Sequence, residues 1–220
     1  ANSATTLLKN NVDTLPIVPA DIKHIHLLVA NEQEQQALQS AIVKQWQKAG
    51  QRQLKITSII ADQDKALAKI QNIKQLIQAD LVIATMSVKA GSVVDLGGID
   101  DLLRQAVNSL KSGQVLPEQA LSTKTLPTQA LSTQVKANYG QLVQLQMALA
   151  KEKKIKSLLI AQGSPFLIKP YLSSADAALL MFDDKVMADK EGNYFSAGMN
   201  ASIAIVIGQQ ANGVLPVTLK

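Results

Sequence analysis

The carboxylates are the side chains that could do chemistry here. Asp183 and Asp184 follow the apolar run Asp176–Phe182, so they fall where a strand would meet solvent. Asp189 and Glu191 share that segment with Lys185 and Lys190. General acid–base work needs two carboxylates held in different environments. Acids interleaved with lysines also describe a plain solvated loop. Asp100 and Asp101 open a helical pattern, where the positive end of the helix dipole accounts for them. His24 and His26 lie two apart and share one strand face, yet a metal site needs a third ligand and an open position. The chain has no other histidine and no cysteine, so no metal is expected and the pair reads as strand residues at the sheet margin.

Other reactive sets are missing from the sequence. The absence of cysteine excludes disulfides, thiol catalysis and thiolate zinc sites. Gly163-Ser164-Pro165 is not a Gly-x-Ser-x-Gly elbow, and its proline removes a backbone donor where an oxyanion hole would need one. Gly91, Gly97 and Gly98 do not form a Gly-x-Gly-x-x-Gly cradle, and Asn31-Glu32 after the first predicted strand contains no glycine. No cofactor is expected. Net charge is +5, but the chain has only two arginines and seven aromatics, a poor supply for nucleic-acid binding. Its polarity comes from 23 glutamines, which make solvated helix faces.

These residues need a scaffold, and the composition supplies one. With 220 residues and 47% apolar content the chain can bury one sizeable core, roughly 70% of its unfolded surface. No apolar run reaches the roughly 18–20 residues of a membrane span. The first twenty residues lack the basic start and apolar stretch of a signal peptide. Lys23–Ala30 reads as a strand, and Asn31 caps a helix over 32–49 with Leu38, Ile42 and Trp46 inward. Leu54–Ile60 is the next strand. Asp62 or Asp64 caps a second helix carrying Leu67, Ile70, Ile73 and Ile77, and Asp80–Met86 is a third strand. This β-α-β-α-β rhythm predicts a parallel sheet with right-handed crossovers.

The rhythm breaks at the glycine-containing loop 87–98, before a helix near 99–111. Leu116-Pro117-Glu118-Gln119-Ala120-Leu121-Ser122-Thr123 then recurs as Leu126-Pro127-Thr128-Gln129-Ala130-Leu131-Ser132-Thr133. Two copies are too few for a solenoid. They read as a duplicated surface insertion at about 113–134, its prolines blocking continuation of either neighbouring helix. A long helix over about 133–152 follows, with Val135, Tyr139, Leu142, Val143 and Leu149 inward. Ile155–Gln162 and Asp176–Phe182 read as strands flanking a short turn or helix at 166–172. A polar loop spans 183–194 and a small-residue helix 197–208. Asn212-Gly213 turns into a last extended run, 214–219, whose Pro216 demotes it to an edge or docking segment. The predicted architecture is a single-domain three-layer αβα sandwich over 1–220. Its mostly parallel sheet has five to six strands and is flavodoxin- or Rossmann-like.

Five segments, in order, resemble the C-terminal α/β domain of glycoside hydrolase family 3. They are Thr6-Leu7-Leu8-Lys9-Asn10 with Leu15-Pro16-Ile17; Asp80-Leu81-Val82-Ile83; Leu158–Gln162 with Gly163-Ser164-Pro165-Phe166; Asp176-Ala177-Ala178-Leu179-Leu180; and Gly208…Gly213 with Leu215-Pro216-Val217. Gln209 stands where that family usually has glutamate. The resemblance covers the chain apart from 87–136. It implies a domain whose nucleophilic aspartate lies on a separate (β/α)-barrel of the same or a partner polypeptide. Many β-glucosidase members take their acid/base glutamate from the loop after the Ala-Asp strand. Here that loop, Ser87-Val88-Lys89-Ala90-Gly91-Ser92-Val93-Val94-Asp95, holds no glutamate, so the proton donor that glycoside hydrolysis needs is absent from it.

The pattern is more similar to the bacterial β-N-acetylglucosaminidase branch, in which the acid/base histidine lies on the barrel and the second domain is accessory. The resemblance therefore implies no catalytic residue in this chain, with Asp95, Asp183 and Asp184 as candidates for the substrate rim. It also implies an N-acetylglucosamine-containing glycan at the domain interface, and a periplasmic, secreted or lipoprotein-attached location rather than a cytoplasmic one. Two alternatives stand beside it. One is a free-standing binding module for a sugar or nucleotide; the other is a β-glucosidase-type domain in which Asp95 replaces the glutamate.

Overall fold

The computed structural model describes residues 5–11, 14–61, 74–88, 139–163, 165–182, 185–211 and 213. The sheet has six strands: β1 (Thr5–Asn10), β2 (His24–Val29), β3 (Lys55–Ile60), β4 (Leu81–Val88), β5 (Lys156–Gly163) and β6 (Ala177–Met181). Their order is β1-β6-β5-β4-β2-β3. All neighbours pair parallel except β1, which runs antiparallel along the edge of β6 with a register shift between Leu7 and Lys9. The expected α/β sandwich is present.

Each face of the sheet is covered, which is why β2, β5 and β6 are almost wholly buried. On one face Ile25, Leu27, Ile83, Ile160 and Leu179 pack with Leu38, Ile42 and Trp46 of α1 (Glu32–Lys48). Met199, Ile203 and Val206 of a small-residue helix, Ala197–Val206, join the same cluster. On the other face Leu28, Val82, Leu159 and Leu180 meet Val143, Met147 and Ala150 of α2 (Tyr139–Glu152), together with Leu76 and Ile168. Ile168 lies on α3 (Pro165–Leu172), and the Ala197–Val206 helix is α4.

Local chemistry sets the element ends. Asn31 accepts a hydrogen bond from the Glu34 N–H at 2.9 Å and Ser196 from the Met199 N–H at 3.3 Å, so both helices on the first face start on a side-chain cap. The Gly-Ser-Pro segment has a similarly plain reading. Gly163 turns the chain out of β5 at φ +105°, and Pro165 opens α3, where its missing N–H costs nothing.

The entry segment at 5–10, for which the sequence pattern predicts no element, is a strand. One expectation is corrected. The stretch expected as a polar loop over 183–194 contains a hairpin, β7 (Met187–Ala188) paired antiparallel with β8 (Tyr194–Phe195). The helix expected from Asp62 or Asp64 through Ile77 is described only from residue 74, and 74–76 are helical; the helix expected near 99–111, the insertion at 113–134 and the extended run 214–219 lie outside the described residues. Among the described residues no helix is long and apolar enough to cross a membrane.

Candidate functional site

The strand order fixes where a ligand would go. From β2 the chain crosses to β3 on one side, and β4, β5 and β6 lie on the other. The connection therefore reverses between β2 and β4, and open α/β sheets bind ligands outside the carboxyl ends of strands at such a reversal. Here protein groups fill that position. Glu34, in the first turn of α1, accepts a hydrogen bond from the Thr85 hydroxyl of β4 at 2.9 Å. The same carboxylate oxygen reaches back to the Ala30 N–H at 3.4 Å. Tyr139, at the start of α2, donates its phenol hydrogen to the Thr85 carbonyl at 2.6 Å, with the Leu28 carbonyl at 3.1 Å. Burial pushes that phenol well above its ordinary range. The cluster clamps β2 to β4 where they diverge. At the α1 N-terminus the Ala30 N–H is taken by Glu34 and the Glu34 N–H by Asn31.

The sequence signal for this clamp is partial. Asn31-x-x-Glu34 has capping-box spacing, and Thr85 interrupts an otherwise apolar run. Nothing local ties either residue to Tyr139.

Three further aspartates are occupied as well. Asp80 Oδ2 accepts from the backbone N–H of Lys23 at 2.8 Å and of His24 at 2.9 Å. Asp176 Oδ2 accepts from the Ser157 N–H at 3.0 Å and its hydroxyl at 2.8 Å. Each of these aspartates precedes a strand and ties it to the start of a neighbour. Asp189 accepts from the Glu191 and Asn193 N–H groups, both at 2.9 Å, and from the Asn193 amide at 3.0 Å, which closes the β7–β8 hairpin. Those hydrogen bonds, led by Asn193, hold its carboxyl below the usual range. Asp95, Asp183 and Asp184 lie outside the described residues. Phe182, the residue before Asp183, sits at the carboxyl end of β6.

The histidines are not at a margin open to solvent. Both are buried on the face of β2 that carries Leu28. Thr57 Oγ1 lies 2.9 Å from His24 Nε2 and 2.8 Å from His26 Nδ1. Among the described residues no group of three or more His, Cys, Asp or Glu side chains could hold a metal ion.

One concavity stands apart from the rim. A groove of about 580 Å³ runs between the outer face of α1 and the hairpin. Gln36, Gln39, Gln47 and Asn193 line it together with Val43, Lys44 and Tyr194, so it is rich in amides but mixed in polarity.

No protein-family model matches the sequence, and no curated protein matches it. Solved structures do. A β-glucosidase from Listeria innocua in complex with isofagomine is similar at TM-score 0.50 and 14% identity, over 93% of this chain and 24% of its own. The β-glucosidase EmGH1 from Erythrobacter marinus is similar at TM-score 0.50 and 11% identity, over 94% of this chain and 27% of its own. This fold occurs within larger β-glucosidases. A fungal multi-domain GH3 β-N-acetylglucosaminidase scores 0.49 at 16% identity, over the whole of this chain and 19% of its own. The chain thus spans about a quarter of the length of the β-glucosidases it matches. At such identities the likeness is one of fold.

Proposed function

We propose that this chain is an accessory domain of a family-3-like glycoside hydrolase of the β-N-acetylhexosaminidase type. It packs on a catalytic (β/α)-barrel of the same or a partner polypeptide and does not hydrolyse glycosides alone. One observation carries the reading: the fold accounts for 93% of this chain but only 24% of a β-glucosidase. The five ordered sequence segments support it, and so do Glu34, Asp80, Asp176 and Asp189, each spent on holding the scaffold. Asp95, Asp183 and Asp184 are the proposed rim residues, and 1–220 is proposed as one domain with an insertion at 113–134. The test is turnover of a chromogenic N-acetylglucosaminide by the purified 220-residue chain. None is expected, and measurable hydrolysis would sink the reading.

The groove beside α1 favours a second reading, a free-standing module that binds a sugar. Carboxamides pair a donor with an acceptor, which suits adjacent hydroxyls, and the Tyr194 ring offers a face for stacking. A millimolar sugar that raised the melting temperature of the wild-type chain but not of Tyr194→Ala would favour it. Equal melting curves with and without N-acetylglucosamine would end it for that sugar.

A further inference from the structure

Two side chains buried on the α2 side of the sheet carry polar atoms that the scaffold leaves unpaired. His26 is 0% exposed and Gln146 3%. His26 Nε2 and both Nε2 and Oε1 of Gln146 nonetheless have no hydrogen-bond partner among the described residues. Buried polar groups are nearly always paired, because an unmade bond costs the full desolvation of the group. The surroundings are apolar. Gln146 stands beside Met147 and one turn from Val143 and Ala150, all fully buried.

The fold brings the two residues to one level. Tyr139 and Gln146 lie seven positions apart, so they stand about 20° apart around α2 and share one side of it. Tyr139 shows where that side points, since its hydroxyl reaches the Leu28 carbonyl of β2 and the Thr85 carbonyl of β4. From there α2 runs back along the strands, and Ala150 accepts from the Ile155 N–H just before β5 begins. Gln146 therefore lies about 10 Å along the helix axis from Tyr139. His26 is two residues before Leu28 on the same face of β2, about 7 Å back along the strand. Helical side chains lean toward the helix N-terminus, which closes the difference. In register, His26 pairs with Val82 of β4, which packs in the cluster beneath α2.

We propose that His26 and Gln146 hold one water molecule between them, buried under α2. The atoms left over match what a water offers. It donates to His26 Nε2 and to Gln146 Oε1, and it accepts from Gln146 Nε2. Three hydrogen bonds are the usual number for a buried water. A direct bond from the Gln146 amide to His26 Nε2 would pair two of the three atoms and leave Oε1 unmade. The water extends the chain of hydrogen bonds that links the Gln78 carbonyl, His24, Thr57 and His26. Through it α2 is tied to β2 and to the outer strand β3. The inference is independent of the accessory-domain reading.

The test is NMR on the 220-residue chain, whose two histidines give only two imidazole rings to assign. In the wild type, cross-peaks should link water to the His26 ring and to the Gln146 side-chain amide, with the sign of a water that tumbles with the protein. In Gln146→Leu the His26 cross-peak should vanish, and its persistence would overturn the proposal. His26→Leu and Gln146→Leu should each lower the melting temperature by about 2–4 °C. The double variant should melt no lower than the worse single, because apolar groups then replace both partners. Losses that simply add would overturn the shared water. So would a wild-type spectrum without the water cross-peaks, a result that needs no variant to fold. A contact between the Gln146 amide and the His26 ring with no water signal would replace the water by a direct bond and overturn the proposal as well.

Discussion

Nδ1 of His26 and Oγ1 of Thr57 lie 2.8 Å apart, and the second contact of that hydroxyl fixes the protonation of both histidines. His24 Nδ1 faces the Gln78 carbonyl at 3.1 Å, an acceptor, so Nδ1 carries the hydrogen. Neutral His24 Nε2 must then accept from Thr57, whose oxygen in turn accepts from His26 Nδ1. That leaves His26 Nε2 unprotonated, buried and without a partner among the described residues.

Acid should therefore strain the fold through His26. Burial, and in acid the protonation of His24, lowers its pKa from 6.5 to about 4. Above pH 6.5 both folded and unfolded chains hold it neutral and stability is at its full value. Below pH 6.5 the unfolded chain takes a proton that the folded chain refuses, so stability falls until about pH 4. The total is about 3 kcal/mol. His26→Leu removes that dependence. Urea unfolding of wild type and variant at pH 7 and pH 4.5 checks it. The wild type should lose about 2 kcal/mol more than the variant between the two, and parallel losses would exclude the mechanism.

Asp176 is a fastener for β5. Asp176→Ala would leave the buried Ser157 hydroxyl hydrogen and the N–H beside it without this acceptor, although the hydroxyl oxygen still accepts from the N–H of residue 176, whereas Ser157→Ala deletes a partner that the carboxylate can replace with water. The first should cost about 2–3 kcal/mol and the second about 1 kcal/mol. A denaturant-based double-mutant cycle should give a coupling above about 0.5 kcal/mol, and simple additivity would show that the pair does not act as a unit.

The Glu34–Thr85–Tyr139 clamp makes a different claim, since Tyr139 reaches both β2 and β4 through their carbonyls. Tyr139→Phe keeps the ring and leaves two carbonyls short of a donor, at a cost of about 1–2 kcal/mol. Amide exchange should accelerate at the carboxyl ends of β2 and β4 and stay unchanged in β6. Uniform acceleration would mean global loss of stability rather than release of a clamp.

How much of this was legible depends on whether the signal was local. β2, α1, β3 and β4 follow from apolar runs, a 3.6-residue stripe and the Asn31 cap, and their observed ends lie within two residues of those read from the pattern. β1 has no such signal. Thr5 and Thr6 are buried while Leu7 is exposed, and the register shift after Leu7 breaks the alternation. The β7–β8 hairpin hid behind Asp189, Lys190 and Glu191, because two-residue strands leave no periodicity. The clamp joins residues 51 and 54 positions apart, a distance that no motif spans. The Ala-Asp pairs at 79–80 and 175–176 were visible, but their shared task needed the sheet register. The rim candidates Asp95, Asp183 and Asp184 stay as proposed.

Gly213 is held to glycine by space. Its N–H donates to the Thr5 carbonyl at 3.1 Å, so its backbone lies against β1. A Cβ there would run into the Thr6 hydroxyl and the Thr5 carbonyl. The hydroxyl could rotate away, but the carbonyl belongs to a strand paired with β6 and cannot. Gly213→Ala should thus push residue 213 off the edge strand and cost about 1–3 kcal/mol. Gly50→Ala is the contrast, because φ is +82° there with open space around it, so its cost of about 1 kcal/mol comes from the backbone alone. The two separate on a second variant. Thr6→Ala should leave most of the Gly213→Ala penalty in place, since the Thr5 carbonyl remains, and amide exchange in β1 should rise only in the Gly213 variant. Full rescue by Thr6→Ala would locate the clash in the side chain and refute the backbone account.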